Sequence, residues 1–211
     1  MNYIQFKEKF QKYGVFSIAD IRLLEPNFDK KQLTQWFKKG YIQRVARGYY
    51  IFSDLPLNEQ TLFFIANTVY SPSYVSFESA LSYYGFIPEG VYSITSATTK
   101  KTATLRNALH TTFFYHTIKP ALFFGYHLAQ YHGRTIRMAE PEKTILDYFY
   151  IHSHLNTLED MEGMRFNEQE CTESIDSQKL FRYLEEFHSP ALEKRIHHFL
   201  TSIDYAEHHR N

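Results

Sequence analysis

The chain has 211 residues, with 23 Lys+Arg against 23 Asp+Glu, 11 histidines and one cysteine. That balance argues against a histone-like basic protein and an acidic disordered one. The lone Cys171 leaves no internal disulfide and no thiolate metal site. No run approaches the ~20 apolar residues of a membrane span. The first twelve residues lack the apolar stretch of a signal peptide, so a cytoplasmic protein without a membrane partner is expected.

The neutral total is an average over unlike parts. Residues 1–53 carry a surplus of positive charge, residues 54–150 balance, and residues 151–211 carry a matching surplus of negative charge. With Gly 8 and Pro 7 there is no flexible linker, so any domains are joined by short structured connections.

In chain order, Phe6, Phe10 and Tyr13 fall on one face of a first helix that Gly14 can end. Ser17 stands three residues before Asp20, the spacing of a capping box, ahead of Ile18, Ile21 and Leu24. Pro26 stops this second helix. Asp29 predicts the N-cap of a third helix reaching Lys39, which Gly40 terminates. The period then changes to two, and residues 41–45 and 49–52 predict a hairpin turning at Gly48.

Helices followed by a hairpin predict a winged helix-turn-helix. In its third helix Leu33, Trp36 and Phe37 are expected to face the core. Lys31, Thr34, Gln35 and Lys38 share the opposite face at i, i+3, i+4, i+7. Lysines neutralise phosphate or reach guanine, and a glutamine can bond an adenine edge with both amide atoms, so this face suits a DNA major groove. Arg44 and Arg47 flank the wing tip, where a backbone or minor-groove contact is expected. The expected DNA-binding set is Lys30, Lys31, Thr34, Gln35, Lys38, Arg44, Arg47 and Tyr49.

The segment with Leu33, Trp36, Phe37, Gly40, Tyr41, Ile42, Arg44, Val45, Arg47, Gly48 and Tyr50 resembles the N-terminal domain of the AbiEi-type antitoxins of bacterial phage-defence systems. Residues 74–86, with Tyr74, Ser76, Ser79, Ala80, Leu81 and Gly85, are similar to a second segment of that family. Residues 133–147, with Glu142, Lys143 and Asp147, are similar to its strand followed by a helix carrying Glu-Lys and a later Asp. The resemblance spans roughly residues 15–150. It implies a DNA-binding, autorepressing regulator that binds inverted repeats in its own promoter. It further implies an antitoxin that counteracts a nucleotidyltransferase-like toxin without requiring a stable complex.

Beyond the head, helical periodicity covers 57–70 (Leu62, Ile65, Ala66, Val69) and 76–84, the latter capped by Ser73 or Ser76. Strand-like runs follow at 92–97, 111–118, 123–131 and 135–138. A helix over 141–150 opens on Pro141 and buries Ile145, Leu146 and Phe149. Residues 156–176 read as an acidic loop. Two amphipathic helices, 177–187 and 190–203, end the chain, with their stripes expected in the chain's own core. The expected fold is α+β: a winged helix-turn-helix over 1–54, then a mixed α/β domain over 55–211 with a C-terminal helical extension from 151.

Catalysis finds little support. Neither Gly-rich phosphate loop occurs, so no cofactor is expected. Glu140, Glu142 and Lys143 lack the acidic-x-Lys spacing of a metal nuclease. At a helix start the two glutamates are expected to complement the helix dipole. His152 and His154, and the adjacent pairs His197-His198 and His208-His209, lack a carboxylate at a metal-site spacing, so no metal is expected. His127 and His132 lie among aromatics and read as packing residues. The basic, hydroxyl-rich stretch Thr98–Thr102 with Arg106 could meet DNA phosphate or a nucleotide, though a solvated hairpin loop is the plainer reading. Two other functions remain open: a protein-interaction module using the acidic C-terminal region on a basic partner, and a nucleic-acid-processing enzyme.

Overall fold

Local capping chemistry sets the breaks of the first fifty residues. In a computed structural model, which describes residues 1–209 apart from Val91, Ala108 and His132 and side chains as far as Ile203, helix α1 spans Tyr3–Phe10. Asn2 and Gln5 close a capping box at its start. Strand β1 (Val15–Ser17) leads into α2 (Ile18–Leu24), where the Ser17 hydroxyl accepts from the Asp20 N–H and the Asp20 carboxylate accepts from the Ser17 N–H. These reciprocal bonds satisfy two donors that a helix start leaves orphaned. Helix α3 (Lys31–Lys38) follows a first turn in which the Asp29 carboxylate accepts the Lys31 N–H. Strands β2 (Ile42–Ala46) and β3 (Tyr49–Phe52) form the hairpin, and Gly48, at φ +85°, supplies the left-handed turn residue.

β1 was not foreseen. It pairs antiparallel with β3, giving a three-stranded sheet in the order β1-β3-β2. The sheet is buried on both faces, and its alternation shows how. Phe16, Ile42, Tyr50 and Phe52 point to the helices and join Phe6, Phe10, Ile21, Phe28, Leu33 and Trp36. Val15, Val45, Tyr49 and Ile51 point the other way and join residues of the rest of the chain. Ile42 and Val45, three residues apart, fall on opposite faces by strand alternation, and a bulge at Val45 lets Ala46 pair with Tyr49.

The larger sheet is mixed, in the order β6-β7-β5-β4-β9-β8. In chain order its elements are α4 (Glu59–Val69), β4 (Ser73–Val75), α5 (Phe77–Tyr83), β5 (Ile94–Thr98), β6 (Ala103–Arg106), β7 (Thr112–Thr117), β8 (Tyr126–Tyr131) and β9 (Arg134–Ala139). Parallel pairing joins β5 to β7 and β4 to β9, and the edge strands β6 and β8 run antiparallel to their neighbours. One face, with Val75, Ile94, Phe113, Tyr115, Ile136 and Met138, receives α4 and the outward face of the small sheet. Arg134 of β9 reinforces that junction: its guanidinium lies over the Phe64 ring, and a Cβ on Gly14 would meet it at 2.5 Å.

The opposite face, with Tyr74, Ala97 and Ala139, is covered by α5 and by α6 (Pro141–Ile151), α7 (Leu158–Gly163), α8 (Glu168–Ser174), α9 (Ser177–Glu185) and α10 (Pro190–His209). The stripes of α9 and α10 (Leu180, Leu184, Leu192, Ile196, Phe199) lie in the chain's own core, as expected. The result is a mixed α+β fold.

Several expectations need correction. The 156–176 stretch is not a loop: α7 and α8 form there because Met161, Phe166 and Cys171 reach the core while the carboxylates face out. Strands β4 and β6 were missed, and the 98–106 stretch is a turn leading into edge strand β6. Tyr13 and Phe37 are substantially exposed, at 39% and 47%, instead of packing inward. Ser76 begins α5 without a side-chain cap, because its hydroxyl donates to Asp147. His132 lies outside the described residues, as do the side chains of His208 and His209.

Candidate nucleic-acid interface

Helix α3 is anchored through one face and open on the other. Leu33 and Trp36 are buried, Trp36 against the rings of Tyr3, Phe6 and Phe28. The outward residues Lys31, Thr34, Gln35 and Lys38 are all exposed, as is Lys30 one residue before the helix. Phe37 is half-exposed near the helix's C-terminal end and lines a cleft with Arg44 and Arg47 of the hairpin.

The β2–β3 hairpin carries two of the expected residues beside this surface. Arg44 lies opposite Tyr50 across the β2–β3 ladder, and Arg47 sits in the turn. Both are exposed and line a cleft of about 250 Å³ with Lys30, Ile18, Leu33, Gly48 and Tyr50. The structure thus joins Lys30 at the head of α3 to the two hairpin arginines. Tyr49 departs from the rest: it is partly buried against the cluster beneath the small sheet, and its ring serves the junction with the larger sheet.

The basic residues of the head divide by partner. Lys7 is held by Asp54 and Lys9 by Glu25. Among the described residues, no carboxylate pairs with Lys30, Lys31, Lys38, Arg44 or Arg47. Exposed, unneutralised cations on a convex helix and the adjoining hairpin can release counterions from a polyanion and bond its oxygens.

A second cluster of charge surrounds α6 and has the opposite character. Lys143 and Asp147 are fully buried and form an ion pair one helical turn apart. The Asp147 carboxylate also accepts from the hydroxyls of Tyr74 (2.7 Å) and Ser76 (2.9 Å). The Lys143 ammonium donates to the Tyr74 oxygen at 2.9 Å and lies within 5.1–5.4 Å of the ring centres of Tyr74, Phe124 and Phe187. Burial pushes the Lys143 ammonium below its ordinary pKa, with Asp147 opposing that shift. Gly125 is required alongside: it has φ +68°, and a Cβ there would sit 3.1 Å from two Lys143 side-chain atoms.

At the start of α6, Glu140 and Glu142 do not simply face solvent near the helix dipole. Lys179 of α9 bridges them at 3.2 and 3.1 Å, Tyr183 donates to Glu140, and Glu142 accepts the Asp176 N–H. Burial acts to raise the Glu140 carboxyl, but the Tyr183 and Lys179 donors outweigh it and its pKa is lowered. Burial acts to lower Lys179, and the two glutamates outweigh it, so its pKa is raised.

His152 binds the Tyr148 carbonyl through Nδ1 and faces Glu78 at 3.4 Å through Nε2. Among the described residues no group of three His, Cys, Asp or Glu side chains is arranged to hold a metal. Among the same residues no helix is long and apolar enough to cross a membrane.

Sequence reasoning did not place Arg106 and Asn107 beside the β2–β3 hairpin. They lie at the end of edge strand β6 and line a further cleft with Phe37, Arg44 and Arg47. No local pattern could have found this, because the juxtaposition is made by packing between the two sheets. No protein-family model matches the chain, and no curated protein does either.

Proposed function

We propose that this chain is a cytoplasmic DNA-binding transcriptional regulator whose first 54 residues act as a winged helix-turn-helix. The observation that carries the reading is the exposed cationic face of α3, continued by Lys30, Arg44 and Arg47 and left unpaired while Lys7 and Lys9 are neutralised. Helix α3 presents Lys31, Thr34, Gln35 and Lys38 outward from a firmly packed back, the arrangement a recognition helix needs. Pairing of β1 with β3 braces the hairpin as a wing.

The antitoxin part of the proposal rests on the resemblance to the AbiEi-type family. Two of the similar segments meet in the fold: Tyr74 and Ser76 from one bond Lys143 and Asp147 from the other. That contact supports a shared scaffold for residues 55–211. In the proposed function the chain represses its own promoter through inverted repeats and counteracts a nucleotidyltransferase-like toxin.

The test is binding to duplex DNA from just upstream of its own gene, measured across salt concentration. The slope of log affinity against log salt should be about −0.9 per neutralised phosphate. The combined variant Lys31→Ala/Gln35→Ala/Arg47→Ala should lose at least tenfold in affinity and flatten the slope. Wild-type binding by that variant would overturn the assigned surface. Rescue of growth when the chain is co-expressed with a nucleotidyltransferase-like toxin from its own locus tests the second role.

A further inference from the structure

The cleft between the wing and edge strand β6 has a composition that duplex binding leaves unexplained. It measures about 480 Å³, within the range of small-molecule sites, and is lined by Phe37, Arg44, Val45, Ala46, Arg47, Arg106 and Asn107. Three exposed arginines line it, two from the β2–β3 hairpin and one from edge strand β6. Among the described residues none of them pairs with a carboxylate. Phe37 contributes an aromatic ring that is 47% exposed, although its helical neighbour Trp36 is buried. Asn107 spends its carbonyl oxygen on the Leu109 N–H at 2.8 Å, and its amide nitrogen is shielded from solvent without a hydrogen-bond partner.

We propose that this cleft binds a nucleotide, with its base against Phe37 and its phosphates held by Arg44, Arg47 and Arg106. Arginine forks match phosphate oxygens with paired N–H bonds, and guanidinium planes also stack on aromatic faces. The ring is what selects a nucleotide over a duplex. A base-paired duplex offers this cleft its phosphates but keeps its base faces stacked inside, whereas a free nucleotide offers both. Arg44 and Arg47 also belong to the proposed DNA surface, so a nucleotide in the cleft would compete with the wing's phosphate contacts.

Isothermal titration of the full chain at low salt with ADP, and separately with adenosine and pyrophosphate, tests the site without any DNA present. ADP should bind at least tenfold more tightly than either half alone. Arg106→Ala and Phe37→Ala, both at exposed positions, should each weaken ADP at least fivefold with an unchanged melting curve. Pyrophosphate binding as tightly as ADP would reduce the cleft to a simple anion site and overturn the proposal. So would ADP binding that neither variant weakens, or no ADP binding at all. Because the titration contains no duplex, its failure is separable from failure of the DNA-binding reading.

Discussion

Helix α3 sends Lys31, Gln35 and Lys38 into solvent, their side chains in no ion pair among the described residues, whereas α6 encloses Glu142, Lys143 and Asp147 among partners. Both are short helices with charged residues on a motif-like spacing. On α3 the cations are already hydrated and lose little by waiting for a polyanion. On α6 the charges have lost water, and their mutual pairing, Lys179, the Asp176 N–H, the hydroxyls of Tyr74 and Ser76 and the surrounding rings compensate. A charge's role is therefore set by what encloses it. The exposed set is available for recognition, and the buried set holds the body together.

The sharpest way to break that comparison is Asp147→Ala, which leaves the buried Lys143 ammonium unpaired. It should destabilise the protein by about 3–5 kcal/mol in urea unfolding. Lys31→Ala, by contrast, should change stability by less than about 0.5 kcal/mol. A cost for Asp147→Ala as small as that would remove the distinction.

Neighbours on α3 give a second contrast of similar size. Trp36→Ala opens a cavity among Tyr3, Phe6 and Phe28 and should cost roughly 3–5 kcal/mol. Phe37→Ala, at a half-exposed site, should cost under about 1 kcal/mol. Equal losses would mean that Phe37 is a core residue and not part of an open surface.

The capping box of α2 is a smaller lever. Ser17→Ala leaves an N–H of the helix's first turn without its acceptor and should cost about 1 kcal/mol, read from the denaturation midpoint. Duplex affinity should fall only if α2 helps to hold α3 in place.

The smallest effect is a pH dependence in the body. Burial holds the His116 imidazole below its ordinary value of 6.5, with Glu78 opposing and His152 adding to the shift. The unfolded chain therefore takes up this proton first. The contribution is fully present above pH 6.5 and is lost as pH falls towards the lowered folded value. Because the ring is partly exposed, solvent screening should keep the loss small. His116→Phe should flatten the stability profile in that window, as thermal melts across pH would show.

Much of the head was legible because its signals are local. Ser17 and Asp20, Asp29, Gly40, Gly48 and the period-two run after Gly40 act within a few residues, and each marks a feature of the structure. The exposed residues of α3 followed from helical spacing alone, apart from Phe37. The body was less legible for a physical reason. Three residues of β4 or four of β6 are too few to show a period, and only their distant ladder partners make them strands. The 156–176 stretch looked like a loop because its carboxylates outnumber the few apolar residues that anchor α7 and α8.

By itself the sequence determined the capped helices, the hairpin and the cationic face of α3, since capping, turn conformation and periodicity operate within one or two turns of chain. Only the tertiary structure decided that the small sheet is buried on both faces, that Lys143 and Asp147 lie in the core, and that Arg106 stands beside Arg44 and Arg47. Those facts depend on which distant segments exclude water from one another. Tyr74 meets Asp147, and the β2–β3 hairpin meets the end of β6, through packing that no short window of residues encodes.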